Sequence, residues 1–152
     1  MNPTQPLQQH HKHCDDLFAA AEAFAQAGDW AACESTSTQF CDEIEAHFAT
    51  EEQVVFPAFA AATGMNGGPV AVMRMEHAQM RDLMAQMKAA LKARDRNGYG
   101  GAADTLLILM QQHNMKEENI LYPMCDNSLG GSNLDIGGAL KERLEGQCQA
   151  KI

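Results

Sequence analysis

The sequence predicts an all-α chain: an up-down-up-down four-helix bundle built from two αα-hairpins, followed by a short C-terminal tail. Three observations predict it. Glycine and proline divide the chain into four unbroken segments of roughly 22–27 residues, the length of bundle helices. Each segment carries an apolar stripe at steps of three and four. The chain also matches itself at a shift of 66 residues.

The first predicted helix covers 6–27, between Pro6 and Gly28-Asp29, with the stripe Leu7, His11, Cys14, Phe18, Ala21, Ala25. The second covers 30–56 and stops before Pro57; its stripe is Trp30, Cys33, Ser37, Phe40, Ile44, His47, Glu51, Val54. A Gly-rich loop, Thr63 to Pro69, separates the hairpins. The third helix covers 70–94, with Val70, Met73, His77, Met80, Met84, Met87 and Leu91 in line. The fourth covers 99–122 and stops before Pro123, with Tyr99, Ala102, Leu106, Met110, His113, Glu117 and Ile120. The tail, 124–152, contains a short helix near 139–145. No segment shows the period of two that marks a strand.

All 152 residues fit a single domain, 1–152. The 11 Lys and Arg against 20 Asp and Glu give a net charge of −9, which argues against binding nucleic acid or anionic lipid. No apolar run approaches the ~18 residues of a membrane span. The opening Met1-Asn2-Pro3-Thr4-Gln5-Pro6 has no basic head or apolar run, so no secretory signal is expected. Five Cys (14, 33, 41, 125, 148), without CxxC, read as reduced thiols in the cytoplasm.

The internal match is strongest where it is polar. His47 to Pro57 aligns with His113 to Pro123, and His11 falls on His77. The midpoint of His11 and His47 is Asp29, and that of His77 and His113 is Asp95, both inside turn sequences. Each His therefore lies 18 residues from its turn, so an up-down bundle brings all four to one level. The stripes place Glu51 and Glu117 there too, one turn from His47 and His113. Burying carboxylates is costly unless they are paired or bind a metal. Two glutamates bridging a pair of cations, with neutral imidazoles completing the shell, resolves this. Mixed His and carboxylate ligation suits iron and, less well, manganese.

His10 and His13 flank His11 and are expected at the surface. Glu52 and Glu118 turn off the His line and suit solvent or an outer role behind the ligands. Cys14, Ile44, Met80 and Met110 lie near the four-His level, as core fillers or as the lining of a pocket for a small diatomic molecule. Phe56 and Tyr122 correspond in the repeat and are expected to pack.

Four motifs together, His11-Lys12-His13-Cys14-Asp15-Asp16-Leu17-Phe18, His47-xxx-Glu51-Glu52, Glu76-His77 and His113-xxx-Glu117-Glu118, resemble the hemerythrin-like family of HHE cation-binding domains. The resemblance covers residues ~7–123, nearly the whole chain. It implies a bundle holding a non-haem diiron centre, two iron ions with an oxo or hydroxo bridge. Carried over, His11, His47, His77 and His113 are terminal ligands, and Glu51 and Glu117 are bridges. The oxygen-carrying members have HxxxH on the third helix and an Asp on the fourth. Here Arg81 stands at the fourth position after His77, and the fourth helix has HxxxE. This disfavours reversible oxygen carriage. Iron-centre repair proteins add an N-terminal Cys-containing module, for which no room is expected before His11.

The leading functional expectation is a diiron protein that binds or senses oxygen or nitric oxide in oxidative or nitrosative stress. The alternatives are an oxidoreductase acting on peroxide or nitric oxide, and iron storage or donation. Haem binding is weaker, because haem has no use for two buried glutamates and CxxCH is missing. The sequence identifies no protein partner and no oligomeric state.

Overall fold

In a computed structural model the chain is described over residues 2–65 and 67–149, with backbone alone for Cys148 and Gln149. The described residues form helices and no strand. Helix α1, Gln5–Ala27, has Pro6 in its first turn, where a missing N–H costs nothing. It ends at Gly28, whose φ of 75° needs a residue without Cβ strain. Asp29 then caps α2, Trp30–Thr50, by accepting the Ala32 N–H at 3.2 Å. The second turn works in the same way. Helix α4, Pro69–Lys92, is followed by Asp95, which accepts the Gly98 N–H at 3.0 Å and caps α5, Arg96–Lys116. Both turns fall where the His midpoints place them. Helix α1 packs on α2 and α4 on α5, and the two pairs meet through α1 with α5 and α2 with α4.

Two helix ends differ from the sequence expectation. Neither Pro57 nor Pro123 stops its helix. Helix α2 runs into a π-helical segment, Glu51–Val55, and on into α3, Phe56–Thr63. Helix α5 runs through a matching π segment, Glu117–Leu121, into α6, Tyr122–Leu129. In each, an N–H reaches back five residues, from Phe56 to the Glu51 carbonyl and from Tyr122 to the Glu117 carbonyl. A proline in an α-helix loses a hydrogen bond and its ring strikes the carbonyl four residues back. The wider π turn relieves that contact, so each proline comes after it without breaking the helix.

The π turns also rotate the helix beyond them. Val54 and Ile120 are expected to continue the inward stripes. The structure instead buries Val55 and Leu121, and leaves Ile120 56% exposed. One extra residue per turn moves the inward position on by one. The tail is more ordered than expected: α7 spans Ile136–Gln149 and packs on α2 and α1, with α3 against α6. No described helix is long and apolar enough to cross a membrane.

The apolar interior forms two clusters. One lies on the turn side of the histidines and includes Cys14, Phe18, Phe40, Phe48, Met80 and Leu106. The other lies beyond them and includes Leu7, Val55, Phe59, Met73, Leu121 and Ile136. The four histidines and two glutamates sit between these clusters.

The shifted stripe gives a stability prediction. Leu121→Ala should lower the unfolding free energy by about 2–5 kcal/mol, since it empties a closed core position. Ile120→Ser should change it by less than about 0.5 kcal/mol. Urea denaturation of both variants checks the pair, and the reverse order would contradict the π register.

Candidate metal centre

Each of the four long helices contributes one histidine: His11 on α1, His47 on α2, His77 on α4 and His113 on α5. Glu51 and Glu117 open the two π segments, one turn beyond His47 and His113. All six residues are buried, and both glutamates are 0% exposed. The structure brings them together in two overlapping groups. Glu51, His77, His113 and Glu117 each offer an atom within 4.8 Å of the others. His11, His47 and Glu117 do the same, so Glu117 belongs to both. Glu51 Oε1 is 3.1 Å from His77 Nε2 and 3.7 Å from His47 Nε2. Glu117 Oε1 is 3.0 Å from His11 Nε2 and 3.3 Å from His113 Nε2.

Four atoms in this cluster are buried without a hydrogen bond: Glu51 Oε1, Glu117 Oε2, His77 Nε2 and His113 Nε2. One such orphan costs about 1–3 kcal/mol, so four in one place demand a reason. Imidazole nitrogens and carboxylate oxygens are donors for a divalent transition metal, and a cation among them would satisfy all four. The residues present therefore fit a metal.

The outward faces of the imidazoles are equally organised. Nδ1 of His11 meets Glu118 Oε2 at 2.7 Å, Nδ1 of His77 meets Glu52 Oε2 at 2.7 Å, and Nδ1 of His113 meets Glu76 Oε1 at 2.9 Å. Once a cation displaces the second proton, a carboxylate on Nδ1 would hold the remaining proton there and leave Nε2 facing the cluster as a base. The outer role expected of Glu52 and Glu118 is what these contacts provide. Arg81 points outward and donates to Glu52 at 2.9 and 3.1 Å and to Glu45 at 2.8 Å. Lys116 similarly donates to Glu76.

His10 departs from the expectation of a surface residue. It is 7% exposed and stacks on His47, with ring centroids 5.1 Å apart. Position 10 turns toward α2 rather than outward. Its Nδ1 lies 2.9 Å from His47 Nδ1, and its Nε2 lies 2.7 Å from Glu43 Oε1. His13 is exposed, as expected, and 3.4 Å from Glu43. No sequence pattern marks Glu43, and Glu76 is marked only by its motif. Glu76 precedes His77 as His10 precedes His11, and the structure turns both positions toward a neighbouring helix.

Tyr122 also differs from its expected packing role. Its Oη donates to Glu51 Oε2 at 2.8 Å and lies 3.1 Å from Glu117 Oε1. It is 3.3 Å from Nε2 of both His11 and His47. The matching Phe56 stacks on His77, which also lies 3.8 Å face to face with Phe48. Cys14, Ile44, Met80 and Met110 are buried in the apolar cluster on the turn side, and Cys14 Sγ is 3.7 Å from His10 Nδ1.

The two glutamates cannot both ionise at low cost. Burial, then the charge of Glu117, pushes Glu51 up to about 8. Glu117 is held well below its ordinary value: burial opposes this, but protonated Glu51 and the imidazoles of His113 and His11 outweigh it. Burial also disfavours charge on His113, yet Glu117 raises it to about 9. His47, enclosed and beside His11, is lowered well below its ordinary value. Burial, followed by the two carboxylates, raises Tyr122 well above its ordinary value and keeps its proton on.

These shifts fix a pH dependence for the metal-free chain. The folded His113 holds its proton to about 9 against 6.5 when unfolded, and Glu51 to about 8 against 4.5. Both contributions are present at lower pH and are lost as pH rises through the folded values. The melting temperature of the chelated protein should therefore fall between pH 6.5 and 9. Thermal melts across that window check it, and a flat or rising curve would mean that the fold does not hold these protons.

Comparison with curated proteins and with solved structures gave no match. The family model of the hemerythrin HHE cation binding domain matches residues 2–125, most of the chain. That span contains all four histidines, both buried glutamates and the carboxylates behind them. The chain belongs to the hemerythrin HHE cation-binding family.

Proposed function

We propose that this chain is an up-down four-helix bundle of two repeated hairpins, a single domain that holds two iron ions and binds or senses a small diatomic molecule. The observation that carries the reading is the convergence of four imidazoles and two carboxylates, four of whose buried atoms lack hydrogen bonds. His11 and His47 would hold one cation and His77 and His113 the other, with Glu51 and Glu117 bridging. The carboxylates behind the imidazoles would orient the rings and hold the remaining proton on Nδ1 when a cation takes Nε2. Iron bound here would supply redox chemistry and open coordination positions. Oxygen-rich and imidazole donors without thiolate favour iron over structural zinc.

The surroundings suit a small neutral ligand, oxygen or nitric oxide, in an oxidative or nitrosative stress response. Cys14, Ile44, Met80 and Met110 would line its pocket with soft, apolar surface. Arg81 is engaged by Glu52 and Glu45, so no third imidazole is supplied from that position. Both iron positions would then stay open, which favours oxidation in air over reversible oxygen carriage. Buried Cys14, Cys33 and Cys125, none of them in a disulfide, support placement in the reducing cytoplasm. The Tyr122 phenol supports a second reading, an oxidoreductase acting on peroxide or nitric oxide. It is a proton donor held among the ligands.

Two measurements test the reading. Metal analysis should give two irons per chain, and Glu51→Ala with Glu117→Ala should remove most of that load. Full occupancy in the double variant would overturn the ligand assignment. Anaerobic titration of the reduced, iron-loaded protein with nitric oxide should change its visible spectrum, and air should oxidise it. An oxygen adduct released intact under vacuum would instead make it an oxygen carrier. No response to either gas would favour iron storage or donation.

A further inference from the structure

The two halves of the centre share a ligand pattern but differ behind it. His77 and His113 are each backed directly by a carboxylate, Glu52 and Glu76. Both carboxylates are clamped by a cation, Arg81 on Glu52 and Lys116 on Glu76. On the other side, Glu118 behind His11 is 42% exposed. His47 has no carboxylate on Nδ1; it has His10, at the position where the repeat has Glu76.

The hydrogen-bond chain through His10 has one consistent arrangement of protons. With His47 Nε2 facing the cluster as a base, its Nδ1–H donates to His10 Nδ1 at 2.9 Å. His10 then carries its proton on Nε2 and donates to Glu43 Oε1 at 2.7 Å. His47 is therefore oriented by a neutral imidazole, with the carboxylate one ring farther away. A carboxylate on the outer nitrogen raises the basicity of a ligating imidazole more than a neutral acceptor does.

The inward geometry differs in the same sense. Four ligand atoms already converge at the His77–His113 side, against three at the His11–His47 side. The phenol Oη of Tyr122 lies 3.3 Å from Nε2 of both His11 and His47. A cation on that side must compete with it. Resting on the two-cation reading above, we infer that the two positions are unequal. The His77–His113 position fills first, and the His11–His47 position binds more weakly and depends on His10 as a positioning residue.

The test is an anaerobic titration of the metal-free full chain with cobalt(II) alone, followed by calorimetry and visible absorbance. The native chain should bind two cobalt ions in two steps at least ~10-fold apart, since outer partners change metal affinity by about 10–100-fold. His10→Ala should weaken the second step by about 10–100-fold and leave the first unchanged. His10→Gln should restore it, because its carbonyl can accept from His47 and its amide can donate to Glu43. Glu76→Gln should weaken the first step instead and draw the two together. If His10→Ala fails to keep native helicity, Glu43→Gln replaces it and should weaken the second step alone. Two equal steps in the native chain would overturn the inference, as would a first step that responds to position 10. So would a second step indifferent to both His10 and Glu43. Failure to bind any cobalt would overturn the two-cation reading itself, which separates the two conclusions.

Discussion

The structure depends on the approach of two glutamates in a closed interior. Glu51 and Glu117 are 0% exposed and converge with His77 and His113, and Glu117 also meets His11 and His47. An isolated buried carboxylate costs more than any single packing contact returns, and two together repel. The metal-free chain meets this by keeping a proton on Glu51, with its proton affinity raised to about 8, while Glu117 stays ionised among His11 and His113. Tyr122 adds a hydroxyl donor to Glu51. Those measures leave four polar atoms without a hydrogen bond. The arrangement is costly for a protein core and economical for holding cations.

Local backbone geometry is tied to the same pair. Both π turns begin at these glutamates and end one residue before an aromatic-proline pair. A π turn inserts a residue without breaking the helix, and such turns are frequent at functional sites. Here each turn rotates the helix beyond it, so that Val55 with Phe56, and Leu121 with Tyr122, face inward. The apolar pairs close the far side of the polar layer. On the near side, Phe40, Phe48 and Met80 close it toward the turns. The polar layer is thus enclosed between two apolar clusters, and this low-dielectric setting makes its charge pairing strong.

The two helix pairs place like residues in the polar layer and differ in what supports them. Phe56 stacks on His77, whereas Tyr122 reaches into the polar layer with its hydroxyl. Glu76 backs His113, whereas His10 backs His47. Arg81 steadies Glu52, whereas Asp15 stands 66 residues before it in the sequence. Each difference is one side chain, and the first two act through an atom touching a ring or carboxylate of the cluster.

The sequence by itself determined the helical class, the two hairpin turns and the level at which six buried polar residues meet. These are legible because they depend on local chemistry and period. Gly28-Asp29 and Asp95 announce turns, and the steps of three and four line up His11, His47, His77 and His113. Tertiary structure decided what depends on the neighbouring helix. A proline reads locally as a stop, so the continuation past Pro57 and Pro123 was not legible, nor was the one-residue shift that buries Leu121 and exposes Ile120. His10 read as a surface residue because its own helix shows only that it lies off the main stripe. Its burial comes from α2, which sets His47 and Glu43 on either side of its ring. Tyr122 read as packing because an aromatic ring beside a proline gives no sign of where its hydroxyl ends. The π turn, which no residue pattern announces locally, aims that hydroxyl at both glutamates.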